Sequence, residues 1–443
     1  MKREILILIC ILFARANLSA QNRKVTLDDC VRLSLESSDE VKIGQSRIEE
    51  SKAKISEVTS QYLPQLKFSA GYSRLSSVDP FLVTVPNSPV PFKIADALFN
   101  SYSLKLSATQ LVFTGFRLGA LENIAGFGKE ISGVDYDETK NNVAFEALSG
   151  YWNLYKAMLS AQIAEQSMLQ TERRITDTKN FILGGLSTNT DLLRLEVQNS
   201  NAKLQLLEAE NNISNARVAL NRLLGYSYDT PVEPDTSAVV PEDILNDEAA
   251  YVAQALINRN ELKNLNYAIQ SSEEYIRIAK SSYYPYVSLF GNVYYSNPNA
   301  RVQPPKDEFT ATWDVGIGLT WDLWNWGLTS SQTEQAKQVQ IQNTFKLDLA
   351  KKKIEQEVRQ KFGNADYLKK RIDAALLSVE LARKNYDEVV KKYDVQLSSS
   401  TEVADAETSL FIARRNYAFA LIDFRLAMLA LHKAAGRRFD ICY

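Results

Sequence analysis

The feature that most constrains the fold is a helix start that occurs twice, in "LSTNTDLLRLEVQ" and again, 211 residues later, in "LSSSTEVADAETS". In the first copy Thr188 stands three positions before Asp191. In the second copy Ser399 stands three positions before Glu402. A hydroxyl residue followed at this spacing by an acid predicts a capping box, in which each side chain bonds the other residue's backbone N–H. The repeat indicates that the chain is internally duplicated.

The helices that follow these two starts share one apolar frame. Apolar positions recur at alternating steps of three and four residues, from Leu192 to Leu223 and from Val403 to Ala434. The mean period of about 3.5 residues is typical of coiled-coil packing rather than of an isolated amphipathic helix. Both patterns stop at a glycine, Gly225 in the first copy and Gly436 in the second, as expected at a helix C-terminus.

The duplication covers most of the chain. Upstream, the matching segments are "QYLPQL" and "SYYPYV", which lie 221 residues apart. We divide the sequence into a first repeat at 21–225, a proline-containing linker at 226–245, a second repeat at 246–436 and a C-terminal tail at 437–443. Residues 1–20 begin with two basic residues, continue with an apolar run and end in small residues. This pattern predicts a cleaved secretory signal peptide.

Each repeat contains two segments in which apolar and polar residues alternate, as in β-strands. We predict these strands at about 65–85, 101–113, 286–296 and 311–323. In the last one, small or polar residues alternate with large apolar side chains: Trp313, Val315, Ile317, Leu319 and Trp321. An outer-membrane strand needs such an apolar face with aromatic ends, so we expect this set to face lipid. A half-buried strand of a soluble β-sandwich would show the same alternation.

Two very long segments contain no proline. They run from Gly115 to about Leu183 and from Leu328 to about Gln396, and each could form a helix of roughly 100 Å. Two adjacent apolar stripes, around Tyr151 and Trp152, predict that such a helix packs against neighbours on both sides. Each repeat therefore has the order helix, two strands, very long helix and coiled-coil helix. The predicted fold class is mixed α and β, composed mostly of long α-helices.

Composition argues against several classes of function. The formal net charge of −2 gives no basic surface for nucleic acid. With one histidine and three scattered cysteines, neither a zinc site nor a histidine-based triad can be assembled. We therefore expect no enzymatic activity, no metal and no cofactor. Beyond residue 20 no segment approaches about eighteen consecutive apolar residues, so we expect no transmembrane helix.

The four strands raise a problem if they lie in a membrane. The backbone groups of an open sheet edge have no water to bond in lipid, so membrane sheets close into barrels. About eight strands is the practical minimum for closure, and one copy of this chain supplies only the four predicted above. Membrane strands of this kind therefore require several copies of the chain, which would also bring the long helices together around the same axis.

These features together resemble the TolC-like outer-membrane efflux proteins. The resemblance rests on the duplicated order, on "YLP" and "YYP" before the first strand of each repeat, and on "VFTGFRLGALENIA" and "LWNWGLTSSQTEQAK" after the second. It implies a homotrimer whose twelve strands form one transmembrane β-barrel in outer-membrane lipid, continued by a helical barrel across the periplasm. It also implies a periplasmic adaptor protein and an inner-membrane transporter as partners in the efflux of small molecules.

In this family, acids just inside the turn before the last coiled-coil helix form rings that narrow the periplasmic entrance. Glu402 and Asp405 occupy the matching positions here, and Asp191 corresponds to Glu402 in the first repeat. The resemblance therefore implies a pore constriction at these three residues, while Glu402 and Asp191 also suit helix capping. The chain departs from the family in having glutamate rather than aspartate at 402, and in having no arginine in "VQLSSS" for the usual closing ion pair.

Two other functions stay open on the sequence alone. The outer-membrane duct of a type I protein secretion system would share all of these features, and only its cargo would differ. A periplasmic coiled-coil adaptor or scaffold would share the long helices. Adaptors usually have one helical hairpin with a β-domain, however, rather than two halves that each contain an amphipathic strand pair.

Overall fold

The computed structural model describes residues 23–77, 79, 81–83, 86, 90, 92–95, 98–235, 245–395 and 397–440. The expected signal peptide at 1–20, the middle of the linker at 236–244 and the end of the tail at 441–443 lie outside these residues. The chain divides into two compact units. We call them the helical unit, with residues up to 45, 134–262 and from 349 onward, and the sheet unit, with residues 46–133 and 263–348.

The helices of the described residues follow the same order in both repeats. In the first repeat they are α1 (Leu27–Ser37), α2 (Asp39–Ser60), α3 (Arg117–Leu183) and α4 (Asn189–Leu224). In the second they are α5 (Glu248–Asn258), α6 (Asn260–Ser281), α7 (Leu328–Asp394) and α8 (Ser400–Ala434). The sequence predicts one helix before the strands of each repeat, whereas the structure has two. The break occurs because Ser38 and Arg259 take extended backbone conformations.

The strands of the described residues are β1 (Arg23–Val25), β2 (Gln65–Arg74), β3 (Phe81–Val83), β4 (Phe92–Ala95), β5 (Asn100–Phe113), β6 (Val232–Pro234), β7 (Tyr286–Asn297) and β8 (Thr310–Thr320). Within the sheet unit, β2, β5, β7 and β8 form one antiparallel sheet in that order. β2 and β8 are its edges, and no other described strand pairs with their outer sides. The sheet formed by one chain is therefore open.

The first predicted strand, at 65–85, is too long. β2 ends at Arg74, and a separate antiparallel pair of β3 and β4 follows. Ser76 and Ser77 interrupt the apolar alternation after Arg74. Serine favours turns because its hydroxyl bonds the nearby backbone, so the ladder ends there.

The last predicted strand, at 311–323, is also too long at its C-terminal end. β8 ends at Thr320, which pairs with Tyr286, the first residue of β7. The residue before Tyr286 is Pro285, which has no backbone N–H to donate to a ladder. The pairing therefore stops at Thr320, although the apolar alternation continues beyond it.

A short parallel pair of β1 and β6 in the helical unit is not evident from the sequence. It joins the start of the first repeat to the described part of the linker, with Val25 opposite Pro234 and Arg23 opposite Val232. Three residues per strand are too few to show a period. Val25 and Val232 are both buried in the core, so burial of their side chains stabilises the pair.

The core of the helical unit forms where α3 packs with α4 and α8. Leu148 and Leu154 of α3, Leu220 of α4 and Phe439 after α8 are all fully buried in it. The coiled-coil frame of α8 is buried along most of its length, at Val403, Ala406, Leu410, Ala413, Ala420, Phe424, Ala427, Leu431 and Ala434. Among the described helices, none has the length and apolar character needed to cross a membrane.

The glycines that follow α4 and α8 lie against the breaks between the paired shorter helices. Gly225 and Gly436 have φ angles of 71° and 78°, in the left-handed region that favours glycine. A Cβ on Gly225 would lie 2.5 Å from the Cβ of Ser37, and one on Gly436 would lie 2.9 Å from the Cβ of Asn258. The two repeats therefore use the same glycine junction, where both the backbone conformation and the space exclude a side chain.

Candidate functional site

The acid at 402 takes part in a capping box in the helical unit. The Glu402 backbone N–H donates to the Ser399 hydroxyl at 3.2 Å. In return, the Glu402 carboxylate accepts hydrogen bonds from the Ser399 backbone N–H at 2.8 Å and from the Ser398 hydroxyl. The pKa of Glu402 lies below its usual range. The hydrogen bond from the Ser398 hydroxyl lowers it most, followed by the hydrogen bond from the Ser399 backbone. Glu402 therefore caps α8 as an ionised carboxylate.

Asp191 makes the same box at the start of α4. Its carboxylate accepts from the Thr188 backbone N–H at 3.1 Å and from the Thr188 hydroxyl at 2.7 Å. The Asp191 backbone N–H donates to that hydroxyl at 3.2 Å. Both boxes expected from the sequence are thus present. Asp191 stabilises this turn irrespective of any role in a pore.

Asp405 has a different environment from Glu402 and Asp191. Its side chain is exposed, three residues beyond Glu402 on α8. No hydrogen bond or ion pair joins the Asp405 carboxylate to another residue of the described ranges. Because the carboxylate has no such partner, its charge is fully available to ions in the surrounding water.

Arg194 occupies the position in α4 that corresponds to Asp405 in the duplication. Its guanidinium donates to the Thr401 hydroxyl in the first turn of α8. The segment "VQLSSS" lacks an arginine, and the arginine that contacts this turn comes instead from the other repeat. The two repeats therefore differ in charge at this position, since one has an exposed carboxylate and the other a cation that joins the two helix starts.

A third acid near the start of α8, Glu407, is buried. Its side chain is 2% exposed and its carboxylate lies 3.5 Å from Nε of Arg174 on α3. The Thr171 hydroxyl donates to the same carboxylate at 3.4 Å. Burial raises the pKa of Glu407, while the Arg174 charge and the Thr171 bond act in the opposite direction. Glu407 is therefore part of the helix packing and not of a solvent-facing ring.

The predicted site does not include Glu407 and Arg174. The sequence does indicate that Glu407 lies on the buried face of α8. Glu407 lies four residues after Val403 and three before Leu410, which both belong to the buried frame. At this spacing a helix places all three side chains on one face. Arg174 has no comparable signal, because its role depends on which turn of α3 lies beside α8.

A cavity of about 590 Å³ lies near this pair in the helical unit. Residues of α3, α4, α7 and α8 line it, among them Arg174, Leu195, Tyr386 and Val403. The Arg174 guanidinium lies over the Tyr386 ring, 5.1 Å from its centroid. The cavity is partly open to solvent, so it is a groove between the four helices and not a void within a packed core.

The sheet unit presents one strongly apolar face. The predicted lipid-facing residues Trp313, Val315, Ile317, Leu319 and Trp321 are each at least 50% exposed. The strand register places further exposed apolar side chains on the same face: Leu66, Phe68, Tyr72, Leu106, Leu289, Val293 and Tyr295. An apolar face of this extent marks a membrane or protein interface.

The opposite face of the sheet is polar. Small and polar residues from every strand point to it, including Ser69, Ser103, Ser107, Ser296 and Thr312. The Asp314 carboxylate on this face accepts from the Asn292 amide at 2.6 Å and pairs with Arg301 at 3.0 Å. A sheet with one apolar face and one polar face suits a wall between lipid and water.

These features define a class of protein. An open amphipathic sheet and long coiled-coil helices, supplied by two repeats in one chain, are features of a channel-forming membrane protein. The described residues contain no group of three or more His, Cys, Asp or Glu that could hold a metal ion.

The chain belongs to the family described as Outer membrane efflux protein, whose pattern matches residues 30–226 and 251–437. The two matched segments correspond to the two repeats found in the sequence. The resemblance to TolC-like outer-membrane efflux proteins is therefore confirmed.

Relatives agree with this assignment. The outer membrane protein TolC of Escherichia coli (strain K12) is 24% identical over 401 residues, which are 86% of this chain and 76% of that protein. The alkaline protease secretion protein AprF of Pseudomonas aeruginosa is 24% identical over 391 residues, which are 84% of this chain and 76% of that protein. The crystal structure of the Campylobacter jejuni CmeC outer membrane channel matches with a TM-score of 0.77 at 16% identity, covering 93% of this chain and 85% of that chain.

The family and its members establish the location of the protein and its broad class. It is an outer-membrane protein with a periplasmic part, as the sequence predicts. Its relatives are transport channels rather than enzymes. The mostly helical fold of this family is also confirmed. The twelve-stranded trimeric barrel stays a prediction, because one chain contributes four strands with two open edges.

Proposed function

We propose that three copies of this chain form a passive export duct, in which each copy contributes four strands to one twelve-stranded barrel. The single observation that carries the proposal is an open four-stranded sheet with an exposed apolar face. In lipid, the backbone groups of the β2 and β8 edges would lack hydrogen-bond partners. Pairing β2 of one copy with β8 of the next satisfies the backbone groups of both edges. The twelve strands of three copies are more than the roughly eight strands that closure of a barrel needs.

The entrance of the duct lies, in this proposal, at the starts of α4 and α8. Three copies place three Asp405 carboxylates and three Glu402 carboxylates around the axis. Rings of fixed carboxylates attract cations and hold back anions. We assign the larger effect to Asp405, because Glu402 is turned toward its own helix cap and Asp191 is held in the equivalent cap of α4.

Opening of the entrance requires the two helix starts of each copy to separate. The bond from Arg194 to Thr401 joins them and would have to break. A periplasmic adaptor protein that binds the separated form better would shift the population toward it. We propose such an adaptor and an inner-membrane transporter as the partners, with small molecules as the exported substrates.

A protein secretion duct is the second candidate function. The similarity to the alkaline protease secretion protein AprF, over 84% of this chain, favours it specifically. Deletion of the gene separates the two. Loss of resistance to small toxic molecules with normal secretion supports efflux, and the reverse result supports secretion.

Ion selectivity in planar bilayers tests whether the carboxylates of Asp405 and Glu402 line the entrance. We expect Asp405→Asn to reduce the cation preference of the channel, measured as the reversal potential in a potassium chloride gradient, and to do so more than Glu402→Gln. The reason is that the Asp405 carboxylate has no partner among the described residues, whereas that of Glu402 is bonded at its cap. Asp28→Asn, which removes an exposed acid from the first turn of α1, is the matched control. An unchanged reversal potential in Asp405→Asn would remove this residue from the entrance.

A further inference from the structure

The polar face of the sheet carries two lysines that lie next to each other. In the pairing of β2 with β5, Lys67 is opposite Ser107 and Ser69 is opposite Lys105. Lys67 and Lys105 are therefore diagonal neighbours on one face, with backbones roughly 7–8 Å apart. Two like charges at this spacing create a local positive potential, which an anion lying between them would neutralise.

No carboxylate of the described residues neutralises this pair. Neither Lys67 nor Lys105 forms an ion pair within the described ranges. Asp314 is the one acid on the polar face of the four described strands, and it is already bonded to Asn292 and Arg301. The polar face between β2 and β5 is consequently positive, and the only acid on that face is engaged elsewhere.

An aromatic ring on the next strand lies beside one of the two lysines. Lys105 is opposite Tyr294 of β7, and its Nζ lies 5.3 Å from the centre of the Tyr294 ring. This cation–π contact holds the ammonium over the sheet instead of leaving it extended into solvent. Two ammonium groups, one of them beside an aromatic ring, fit an anion that also has an apolar body.

We propose that Lys67 and Lys105, with Tyr294, form a binding site for organic anions on the lumen side of the barrel, with aromatic carboxylates or sulfonates as the best ligands. The assignment of this face to the lumen rests on the proposed duct. Three copies would form a basic ring in the barrel, distinct from the acidic ring at Asp405. A substrate anion that has passed the entrance would then meet opposite charge before it leaves the barrel.

The test uses the purified full-length protein in detergent and naphthalene-2-sulfonate as the probe. Calorimetry measures its binding, and planar bilayers measure the block of channel current by the same compound. We expect the double variant Lys67→Gln/Lys105→Gln to weaken binding and raise the half-blocking concentration by about tenfold, since two nearby charges are lost. The charge-preserving control, Lys67→Arg/Lys105→Arg, should keep both values close to those of the wild type.

The possible results distinguish failure of the proposed anion site from failure of the proposed duct. Equal binding by the wild type and by Lys67→Gln/Lys105→Gln overturns the site, even if the channel conducts normally. Binding that depends on the lysines supports the site, even if the protein fails to conduct, and in that case only the duct is refuted.

Discussion

Three acids within one helix start have three different environments, and their chemistry differs accordingly. Glu402 is bonded by Ser398 and Ser399, Asp405 is exposed, and Glu407 is buried beside Arg174. Charge and spacing in the sequence place all three near the start of α8. Their roles follow from their partners, which depend on the direction each side chain takes from the helix.

The hydrogen bond from Ser398 lowers the pKa of Glu402, so its carboxylate stays ionised to a lower pH. Because its pKa is lowered in the folded protein, the stabilisation from this carboxylate is present at neutral pH and is lost as the pH falls through the folded pKa. Ser398→Ala should raise that pKa, so the cation preference should decline at a higher pH than in the wild type. Reversal potentials between pH 6 and about pH 3 measure this. Identical pH profiles would show that the bond does not control the Glu402 charge.

The effects of substitutions at Glu407 and Arg174 on stability should be strongly non-additive, because the two side chains form a buried pair. Arg174→Met leaves a buried carboxylate without its cation, which we expect to cost about 3 kcal/mol of stability at neutral pH. Glu407→Gln added to Arg174→Met should recover most of this loss, since no buried charge then remains. Thermal unfolding followed by circular dichroism measures the double-mutant cycle. Strictly additive effects of the two substitutions would contradict the pairing.

The raised pKa of Glu407 gives the opposite pH dependence from Glu402. The folded protein binds a proton on Glu407 at a pH where the unfolded chain is still ionised. The stability of the wild type relative to Glu407→Gln should therefore rise as the pH falls through the folded pKa, and should be lower at neutral pH. The same melting experiments, repeated between pH 7 and about pH 4, check this sign.

At the scale of elements, the two faces of the sheet should differ sharply in their tolerance of charge. Ile317→Arg places a cation in the middle of the exposed apolar face of β8. In a barrel this position faces lipid, where the charge costs about 2–4 kcal/mol. We expect loss of assembled protein from the outer-membrane fraction, measured by fractionation and immunoblotting.

The matched control for the apolar face is Ser103→Arg, which introduces the same cation on the polar face of β5. This variant should assemble normally, because the polar face would line water. Normal assembly of Ile317→Arg, or equal failure of both variants, would mean that the assignment of the faces is wrong.

Periodicity explains how much of these elements is predictable. Alternation located β5, β7 and β8 because half-buried or membrane strands have a period of two residues, and the three-and-four spacing located α4 and α8. Element ends depend on partners instead. β8 stops at Thr320 because Tyr286 is the first residue of β7, and no local pattern after Trp321 reveals this. The contacts of Arg194 and Arg174 lie in the other repeat or on another helix, so the sequence gives no spacing from which to infer them.

At the scale of the whole molecule, the duplication supplies each structural element in two versions. Both repeats supply a strand pair, a very long helix and a capped coiled-coil helix. They differ at one position near the helix starts, with Arg194 in one copy at the position of Asp405 in the other. Three copies would therefore alternate two kinds of helix start around the axis, and only one of the two carries the exposed acid.

In the proposed duct, one chain cannot close its sheet and three copies do so together. Native mass spectrometry of the protein extracted from outer membranes in detergent measures the number of chains per particle directly. We predict three chains per particle and loss of soluble protein when the detergent is removed. A stable single chain that stays in solution without detergent would contradict the shared barrel.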